Sequence, residues 1–151
     1  MKLLVYDFDG VMTDNKVLVT ENGMEIVICN RSDGLGVRMI RELGIEQLIL
    51  STETNRVVKA RADKLKLDSI YGSTNKLESL KAHCDSRDIE LKDVAFVGND
   101  INDLGVMKAC GESWCPRDSH PVILDAADMI LTSCGGAGVV RELAEILKGS
   151  Y

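Results

Sequence analysis

The chain of 151 residues has little proline, few aromatic residues and no long apolar run: two prolines and 4% aromatics. It lacks the stretch of about 18 apolar residues that a membrane-spanning helix needs. Its N-terminus shows no basic region followed by a long apolar segment and a cleavage site, so we expect no secretory signal and a cytoplasmic location. No repeat, low-complexity tract or linker interrupts the chain, and its length suits one domain with a proper core. We therefore expect a single domain over residues 1–151.

The chain has fewer basic than acidic residues, and its cysteines show no CxxC spacing. The net charge is −6, which argues against a nucleic-acid binder with a basic face. It does not exclude an anionic substrate, because a bound metal changes the local sign of charge. The five cysteines are an odd number without a CxxC pair, so we interpret them as reduced thiols of the core rather than metal ligands or disulfides.

Strand and helix patterns alternate along the chain. Apolar runs predict strands at 2–6, 47–50, 69–71, 94–97, 112–115 and 128–131, and helical spacing predicts helices at 33–43, 54–65, 76–86, 101–109, 119–125 and 138–148. Two β-rich runs, 17–20 and 25–29, flank Asn22-Gly23 and predict a hairpin. The pattern predicts an α/β fold: a three-layer, doubly wound, Rossmann-like parallel sheet with a hairpin insertion near 15–30 and no large cap. Ligands of such sheets lie beyond the carboxyl ends of the strands.

The first strand runs into a cluster of acids, Asp7, Asp9 and Asp14, with Gly10 and Thr13 between them. Three acids so close repel each other unless a cation neutralises them or a proton is shared. The cluster therefore indicates a hard metal ion and chemistry on a phosphate. Asp7 could attack a phosphoryl group, and Asp9 could act as general acid and base. The alternative is that these acids are solvated turn residues or helix caps.

Polar residues follow the other strands as well. Ser51 and Thr52 could donate hydrogen bonds to a phosphate or cap the helix that follows. Lys76 stands at a predicted helix start, where it is poorly placed for the helix dipole, so it could bind an anion or be a solvated surface lysine. Capping explains one residue of the later cluster but not all four, which are Asn99, Asp100, Asn102 and Asp103. Mg²⁺ prefers oxygen ligands, which Asp7, Asp9 through its carbonyl, and Asn99 or Asp100 could supply, while Asp103 could hold the lysine by an ion pair.

These four clusters, in this order, resemble the haloacid dehalogenase superfamily of aspartyl phosphatases. The resemblance implies Asp7 as nucleophile, Asp9 as general acid and base, Ser51 and Lys76 as phosphate ligands, and Mg²⁺ as cofactor. Without a large insertion, the chain looks like the capless 3-deoxy-octulosonate 8-phosphate phosphatases and their nine-carbon relatives. Two further segments carry this likeness, Arg-Ser-Asp-Gly-Leu-Gly at 31–36 and Gly-Gly-Ala-Gly-Val-Val-Arg-Glu at 135–142. It implies a homotetramer in which the hairpins pack together and a neighbouring subunit covers the site.

The substrate is indicated by Ser-Thr-Glu at 51–53, where octulosonate phosphatases more often have Thr-Gly-Arg. This version looks more like nine-carbon sugar-acid phosphatases and the phosphatase-like domain of acylneuraminate cytidylyltransferases. Glu53 could accept hydrogen bonds from sugar hydroxyls, and Arg61 or Lys64 could bind a sugar carboxylate. Alternatively, the three form an exposed ion-pair network. The chain departs from many family members in having Asn99 where they have Asp as a metal ligand; Asp100 could then take that role.

We therefore expect a Mg²⁺-dependent phosphatase of a phosphorylated 2-keto-3-deoxy sugar acid. Nononate 9-phosphate is the favoured substrate and octulosonate 8-phosphate the next. The alternative is a non-catalytic tetramerisation or regulatory module of an acylneuraminate cytidylyltransferase. A phosphotransferase or mutase is a third hypothesis, which would need a second phosphate acceptor and normally a larger cap.

Overall fold

A computed structural model describes residues 1–149, and its centre is a six-stranded sheet in the order β5-β4-β1-β6-β7-β8. All neighbouring strands in this sheet pair in parallel. The strands are β1 (Leu3–Tyr6), β2 (Leu18–Val19), β3 (Glu25–Ile26), β4 (Glu46–Leu50), β5 (Asp68–Ile70), β6 (Val94–Val97), β7 (Glu112–Cys115) and β8 (Met129–Ile130). The helices are α1 (Ser32–Glu42), α2 (Val57–Leu65), α3 (Lys76–Asp85), α4 (Leu104–Met107), α5 (Pro121–Ala126) and α6 (Val139–Leu147), and Leu91–Asp93 and Ile101–Asp103 form 3₁₀ turns.

Strand β1 is buried along its whole length and contributes to two cores. Leu4 and Tyr6 belong to an apolar cluster that also contains side chains of α1, α2 and α6. Leu3 and Val5 belong to a second cluster, with side chains of α3, α4 and α5. Because side chains alternate across a strand, this division puts three helices on each face of the sheet. The three-layer α/β fold predicted from the sequence is confirmed, and no large cap domain is present within residues 1–149.

The order of the strands places a switch point at the centre of the sheet. From β1 the chain continues on one side to β4 and β5, and from β6 it continues on the other side to β7 and β8. Since connections leave β1 and β6 in opposite directions, a crevice opens between the carboxyl ends of these two strands. The residues that follow them, Asp7 and Gly98 onwards, stand at this crevice.

Several predicted boundaries were wrong. The helix predicted over 54–65 begins at Val57, because the side chains of Glu53 and Asn55 accept the backbone N–H groups of 54, 55 and 57 in place of a first helical turn. The helix predicted over 101–109 is divided into a 3₁₀ turn and the short α4. The hairpin is present, but its paired strands have two residues each.

Cys84 and Cys115 are buried in the core and Cys29 and Cys110 are partly buried against it, whereas Cys134 belongs to neither apolar cluster of the described residues, so the prediction of five core cysteines is confirmed only in part. All five cysteines are free thiols. Among residues 1–149 no helix has the length and apolar character required to cross a membrane.

Candidate active site

Asp7 stands at the carboxyl end of β1, at the switch point of the sheet. Its backbone N–H donates to the carbonyl of Val97 on β6 (2.9 Å), and the Phe8 N–H donates to its Oδ1 (2.7 Å). Asp7 as a whole residue is only 5% exposed. It borders a cavity of about 120 Å³ whose other lining residues are Asp9, Asn15, Ser51, Thr52, Asn99, Asp100 and Asn102. The structure thus brings the residues predicted after three different strands to one place.

Lys76 is buried between two carboxylates. Its Nζ lies 2.8 Å from Asp7 Oδ1 and 2.6 Å from Asp103 Oδ1, and its side chain is 2% exposed. Asp103 Oδ2 accepts the N–H groups of Asn99 (2.9 Å) and Asp100 (3.3 Å). Asp103 therefore holds both the lysine and the loop after β6, and the surface-lysine alternative for Lys76 is excluded.

The electrostatics of this group depend on burial. Burial raises the pKa of Asp7 to about 7, with a further upward effect from Asp103, and Lys76 opposes both. Burial lowers the pKa of Lys76, but the charges of Asp7 and Asp103 outweigh it and the net shift is upward. Lys76 is therefore positively charged, and a nearby cation would help to keep Asp7 ionised.

Asp9 is held by the buried Thr13, whose Oγ1 donates to Asp9 Oδ1 (3.1 Å). Thr13 Oγ1 also accepts the backbone N–H groups of Gly10 (3.3 Å) and Asn15 (3.2 Å). Burial raises the pKa of Asp9, while the bond from Thr13 lowers it. A raised pKa favours the protonated form, which a general acid needs.

The Asn99 side chain lies beside two oxygen atoms that could hold a cation, the Asp9 carbonyl oxygen and Asp7 Oδ2. Its amide end lies 2.9 Å from the Asp9 carbonyl oxygen and 3.2 Å from Asp7 Oδ2, so one rotamer donates N–H to both oxygens and the flipped rotamer turns its own oxygen to them. Adjacent ligands of an octahedral Mg²⁺ are about 3 Å apart, since each lies about 2.1 Å from the ion. Within residues 1–149 no three His, Cys, Asp or Glu side chains cluster as a metal site. The possible donors here are instead the Asp7 carboxylate, the Asp9 carbonyl and the Asn99 amide, and oxygen atoms of all three kinds suit Mg²⁺.

Gly10 allows this close approach. Its φ is +78°, and a Cβ at this position would lie 1.9 Å from the Asn99 amide. Asp100, the other predicted metal ligand, lines the same cavity but is exposed, and its Oδ1 accepts its neighbour's N–H at Ile101 (2.7 Å).

Ser51 and Thr52 border the cavity from the end of β4. Ser51 is 2% exposed, and its Oγ accepts the Glu53 N–H (3.1 Å). The hydroxyl hydrogen of Ser51 is left to donate to a ligand. Thr52 is exposed.

The three predicted substrate residues are separated by the structure. Glu53 lines a cavity of about 290 Å³ that Asp9 shares with the β2–β3 hairpin. Its Oε1 accepts the N–H groups of Thr54 (2.7 Å) and Asn55 (2.8 Å). Arg61 and Lys64 line a different groove, between α1 and α2. No ion pair links these three side chains, so the ion-pair network is not formed.

Sequence reasoning missed the supporting residues. Thr13 was part of the first motif without a role of its own. The Gly135-Gly136 turn packs on the loop after β1: a Cβ on Gly135 would lie 2.3 Å from the Gly10 carbonyl oxygen, and the Gly136 N–H donates to the Val11 carbonyl (3.0 Å). Two adjacent glycines in the sequence indicate a close backbone approach, but the sequence does not show which loop they contact.

Comparisons with known proteins match this chain along most of its length. A sequence model of the haloacid dehalogenase-like hydrolases matches residues 41–143. The 3-deoxy-D-manno-octulosonate 8-phosphate phosphatase KdsC of Escherichia coli (strain K12) is 33% identical over 148 residues, which are 97% of this chain and 79% of that protein. The N-acylneuraminate cytidylyltransferase of Oncorhynchus mykiss is also 33% identical over 150 residues, but these are 96% of this chain and only 34% of that protein.

A solved structure extends the likeness to the fold. The 3-deoxy-D-manno-octulosonate 8-phosphate phosphatase of Moraxella catarrhalis, in complex with magnesium ion, phosphate ion and KDO, is 28% identical with a TM-score of 0.94. The alignment covers 99% of this chain and 87% of that one.

Proposed function

Because the chain belongs to the haloacid dehalogenase-like hydrolases and is a phosphoric monoester hydrolase, we propose that it dephosphorylates a 2-keto-3-deoxy sugar acid with Mg²⁺ as its cofactor. One observation carries this proposal: Asp7, Asp9, Ser51 and Asn99, which follow three separate strands, border one small cavity, with Lys76 bound to Asp7. Residues 1–151 would act as one phosphatase domain, and the cytoplasmic location stays a prediction.

The reaction begins at Asp7. The Phe8 N–H and Lys76 orient Oδ1, which attacks phosphorus and forms an aspartyl-phosphate while the bond from phosphorus to the sugar oxygen breaks. Asp9 donates its proton to the departing sugar oxygen. The Asp9 carboxylate then takes a proton from water, which attacks phosphorus, releases inorganic phosphate and frees Asp7.

The surrounding groups bind the phosphate oxygens. The Lys76 ammonium and the hydroxyls of Ser51 and Thr52 would offset the negative charge that spreads over the equatorial oxygens. Asp7 Oδ2, the Asp9 carbonyl and Asn99 would hold Mg²⁺, and the ion would supply positive charge against the phosphate oxygens. Asn99 carries no charge, so the nearby Asp100 carboxylate would contribute at longer range.

The nine-carbon acid remains our proposed substrate. Support comes from Glu53, which lines the cavity beside Asp9 and raises the pKa of that residue by its charge, so it is close enough to meet a sugar bound there. The carboxylate role predicted for Arg61 and Lys64 has less support, because neither lines the cavities beside Asp9. The matched phosphatases, in contrast, are named for octulosonate 8-phosphate.

Assembly through the hairpin would complete the site. The hairpin and its flanks expose six large apolar side chains by 45–65%: Val17, Leu18, Val19, Met24, Ile26 and Ile28. Two short strands are marginal alone, and an apolar patch of this kind normally packs on another surface. We propose that four copies pack these hairpins together and that a neighbouring subunit covers the cavity beside Asp9. A Leu18→Glu, Ile28→Glu variant should then sediment as a smaller species, whereas an unchanged mass would contradict the tetramer.

The substrate proposal is tested by phosphate release from both acid phosphates. We expect kcat/KM for nononate 9-phosphate to exceed that for octulosonate 8-phosphate about tenfold, the scale of one added polar contact. Glu53→Gln should reduce this ratio. A higher kcat/KM for octulosonate 8-phosphate in the wild-type enzyme would show that the eight-carbon acid is the preferred substrate. No phosphate release from either compound would contradict the proposal that the substrate is a 2-keto-3-deoxy sugar acid.

One observation favours a second function. The cytidylyltransferase match covers nearly all of this chain but about a third of that protein, so the chain resembles one part of such a protein, and the second hypothesis is that it serves as a non-catalytic module. Such a module needs no nucleophile. Absence of phosphate release from a panel of sugar phosphates, together with an intact tetramer, would favour it.

A further inference from the structure

Two cavities of the site meet at Asp9 and Asn15. The cavity at Asp7, of about 120 Å³, contains the groups assigned to the phosphate. A second cavity, of about 290 Å³, lies between Glu53 and the hairpin. Asp9 and Asn15 are the two residues that line both. A phosphate ester with its phosphoryl group in the first cavity and its sugar in the second must therefore cross between them beside these two side chains.

The side chain of Asn15 has no partner at this crossing, whereas Asp9 has a role there as the proton donor to the ester oxygen. The backbone N–H of Asn15 donates to Thr13 Oγ1 (3.2 Å). Its side-chain amide forms no hydrogen bond with any residue in 1–149, and the residue is exposed. An amide carries two N–H donors and an oxygen acceptor, so Asn15 can bind a polar group of the ester.

The backbone at Asn15 does not depend on the amide. Its φ is +62°, in the left-handed region that glycine adopts most readily and asparagine tolerates better than most other residues. The hydrogen bond that holds this turn to Thr13 runs through the backbone N–H, which a glycine would also supply. The amide group is therefore available to a ligand rather than required by the turn.

The outer cavity favours a hydroxyl as the group that meets Asn15. Glu25 and Glu53 place carboxylates in its lining, and carboxylates accept hydrogen bonds from hydroxyls but repel a second anion. In a sugar acid that is phosphorylated at its terminal carbon, the next carbon carries the first hydroxyl beyond the ester. That hydroxyl enters the outer cavity directly after the crossing, beside Asn15.

We propose that the Asn15 amide binds the hydroxyl on the carbon next to the phosphorylated one, and that it thereby selects esters of polyhydroxylated chains. This inference rests on the proposed function and adds to it a residue that determines specificity. Because the eight-carbon and nine-carbon acids both carry this hydroxyl, Asn15 favours both, whereas Glu53 is the residue expected to discriminate between them.

The test compares Asn15→Gly with the wild-type enzyme on the preferred acid phosphate and on its analogue without that hydroxyl. We expect kcat/KM for the parent compound to fall about tenfold in Asn15→Gly, mainly through KM, the scale of one uncharged hydrogen bond. The wild-type enzyme should disfavour the analogue about tenfold, and Asn15→Gly should accept both compounds alike. The Ki of orthovanadate, a phosphate mimic without a sugar, should stay within about twofold of wild type.

Asp88→Gly is the matched control for the change in backbone. Asp88 is exposed, has φ +54° and lines neither cavity. Both variants place glycine where the backbone is already left-handed, so both should shift the urea-unfolding midpoint in the same direction and by similar amounts. Only Asn15→Gly should change kcat/KM.

Four results would overturn the inference. An unchanged kcat/KM in Asn15→Gly would show that the amide does not bind the substrate. Equal losses on the parent compound and the analogue would show that it does not bind this hydroxyl. A parallel rise in the Ki of orthovanadate would place the amide on the phosphoryl group. A midpoint far below that of Asp88→Gly would attribute the lost activity to the fold.

Failure of the proposed function gives a different result from failure of this inference. If the wild-type enzyme releases no phosphate from either acid phosphate, the proposed function is contradicted. If the wild-type enzyme releases phosphate and Asn15→Gly does so equally well, only the role of Asn15 is contradicted.

Discussion

Replacing Lys76 by methionine tests the buried charge group most sharply. The side chain of Lys76 is 2% exposed, and those of its partners Asp7 and Asp103 are 7% and 0% exposed. A methionine side chain nearly matches the length of the lysine side chain but carries no charge. The carboxylates of Asp7 and Asp103 would then face each other without a cation between them. Breaking a buried ion pair costs about 3–5 kcal/mol. For a chain of this size, that loss corresponds to a fall of roughly 10–15 °C in the melting temperature.

The double variant Lys76→Met, Asp103→Asn is the matched control. It restores the net charge of the group to that of the wild type, and the Asn side chain retains an oxygen for the N–H groups that Asp103 Oδ2 accepts. Urea unfolding should show that this second change recovers about half of the lost stability. Equal urea-unfolding midpoints for Lys76→Met and the wild type would refute the claim that Lys76 stabilises the fold as part of a buried charge group. No recovery in the double variant would refute repulsion between the two carboxylates as the source of the loss.

Three further predictions concern single positions. Asp7→Asn should keep the fold and reduce turnover more than about a hundredfold in a phosphate-release assay, the scale of one catalytic group; activity above about a hundredth of wild type would remove the nucleophile. Gly10→Ala should weaken Mg²⁺ binding far more than Gly44→Ala, because both glycines have φ near +78° but only a Cβ at Gly10 would meet Asn99; equal effects, measured by activity against Mg²⁺ concentration, would attribute the loss to backbone strain. Burial raises the pKa of Asp33 from 3.8 to about 6. The folded chain therefore binds this proton more tightly than the unfolded chain does. The free energy of unfolding should fall by up to about 3 kcal/mol as pH rises from about 4 to 6. Asp33→Asn should flatten this part of a urea-unfolding pH profile, and an unchanged slope would contradict the burial argument.

The sheet and the site edge could be predicted from the sequence because their signals are local. Apolar runs that end in polar clusters marked β1, β4 and β6, and parallel pairing then brought Asp7, Ser51 and Asn99 together. The start of α2 could not be predicted, since it depends on whether the Glu53 side chain caps the backbone or points to solvent. The separation of Lys64 from Asp9 depends on how α2 rotates against α1, which helical spacing alone leaves open. Packing of Gly135 on the Gly10 carbonyl joins residues 125 positions apart, and no local pattern encodes such a contact.

The central claim is that a carboxylate oxygen of Asp7 bonds transiently to phosphorus. A crystal structure with Mg²⁺ and beryllium fluoride, which mimics an acyl-phosphate, tests it most directly. We expect beryllium bonded to Asp7, fluorine atoms within reach of Lys76 and Ser51, and Mg²⁺ beside Asn99. Beryllium fluoride bound to another side chain, or separated from Asp7 by a water molecule, would contradict it.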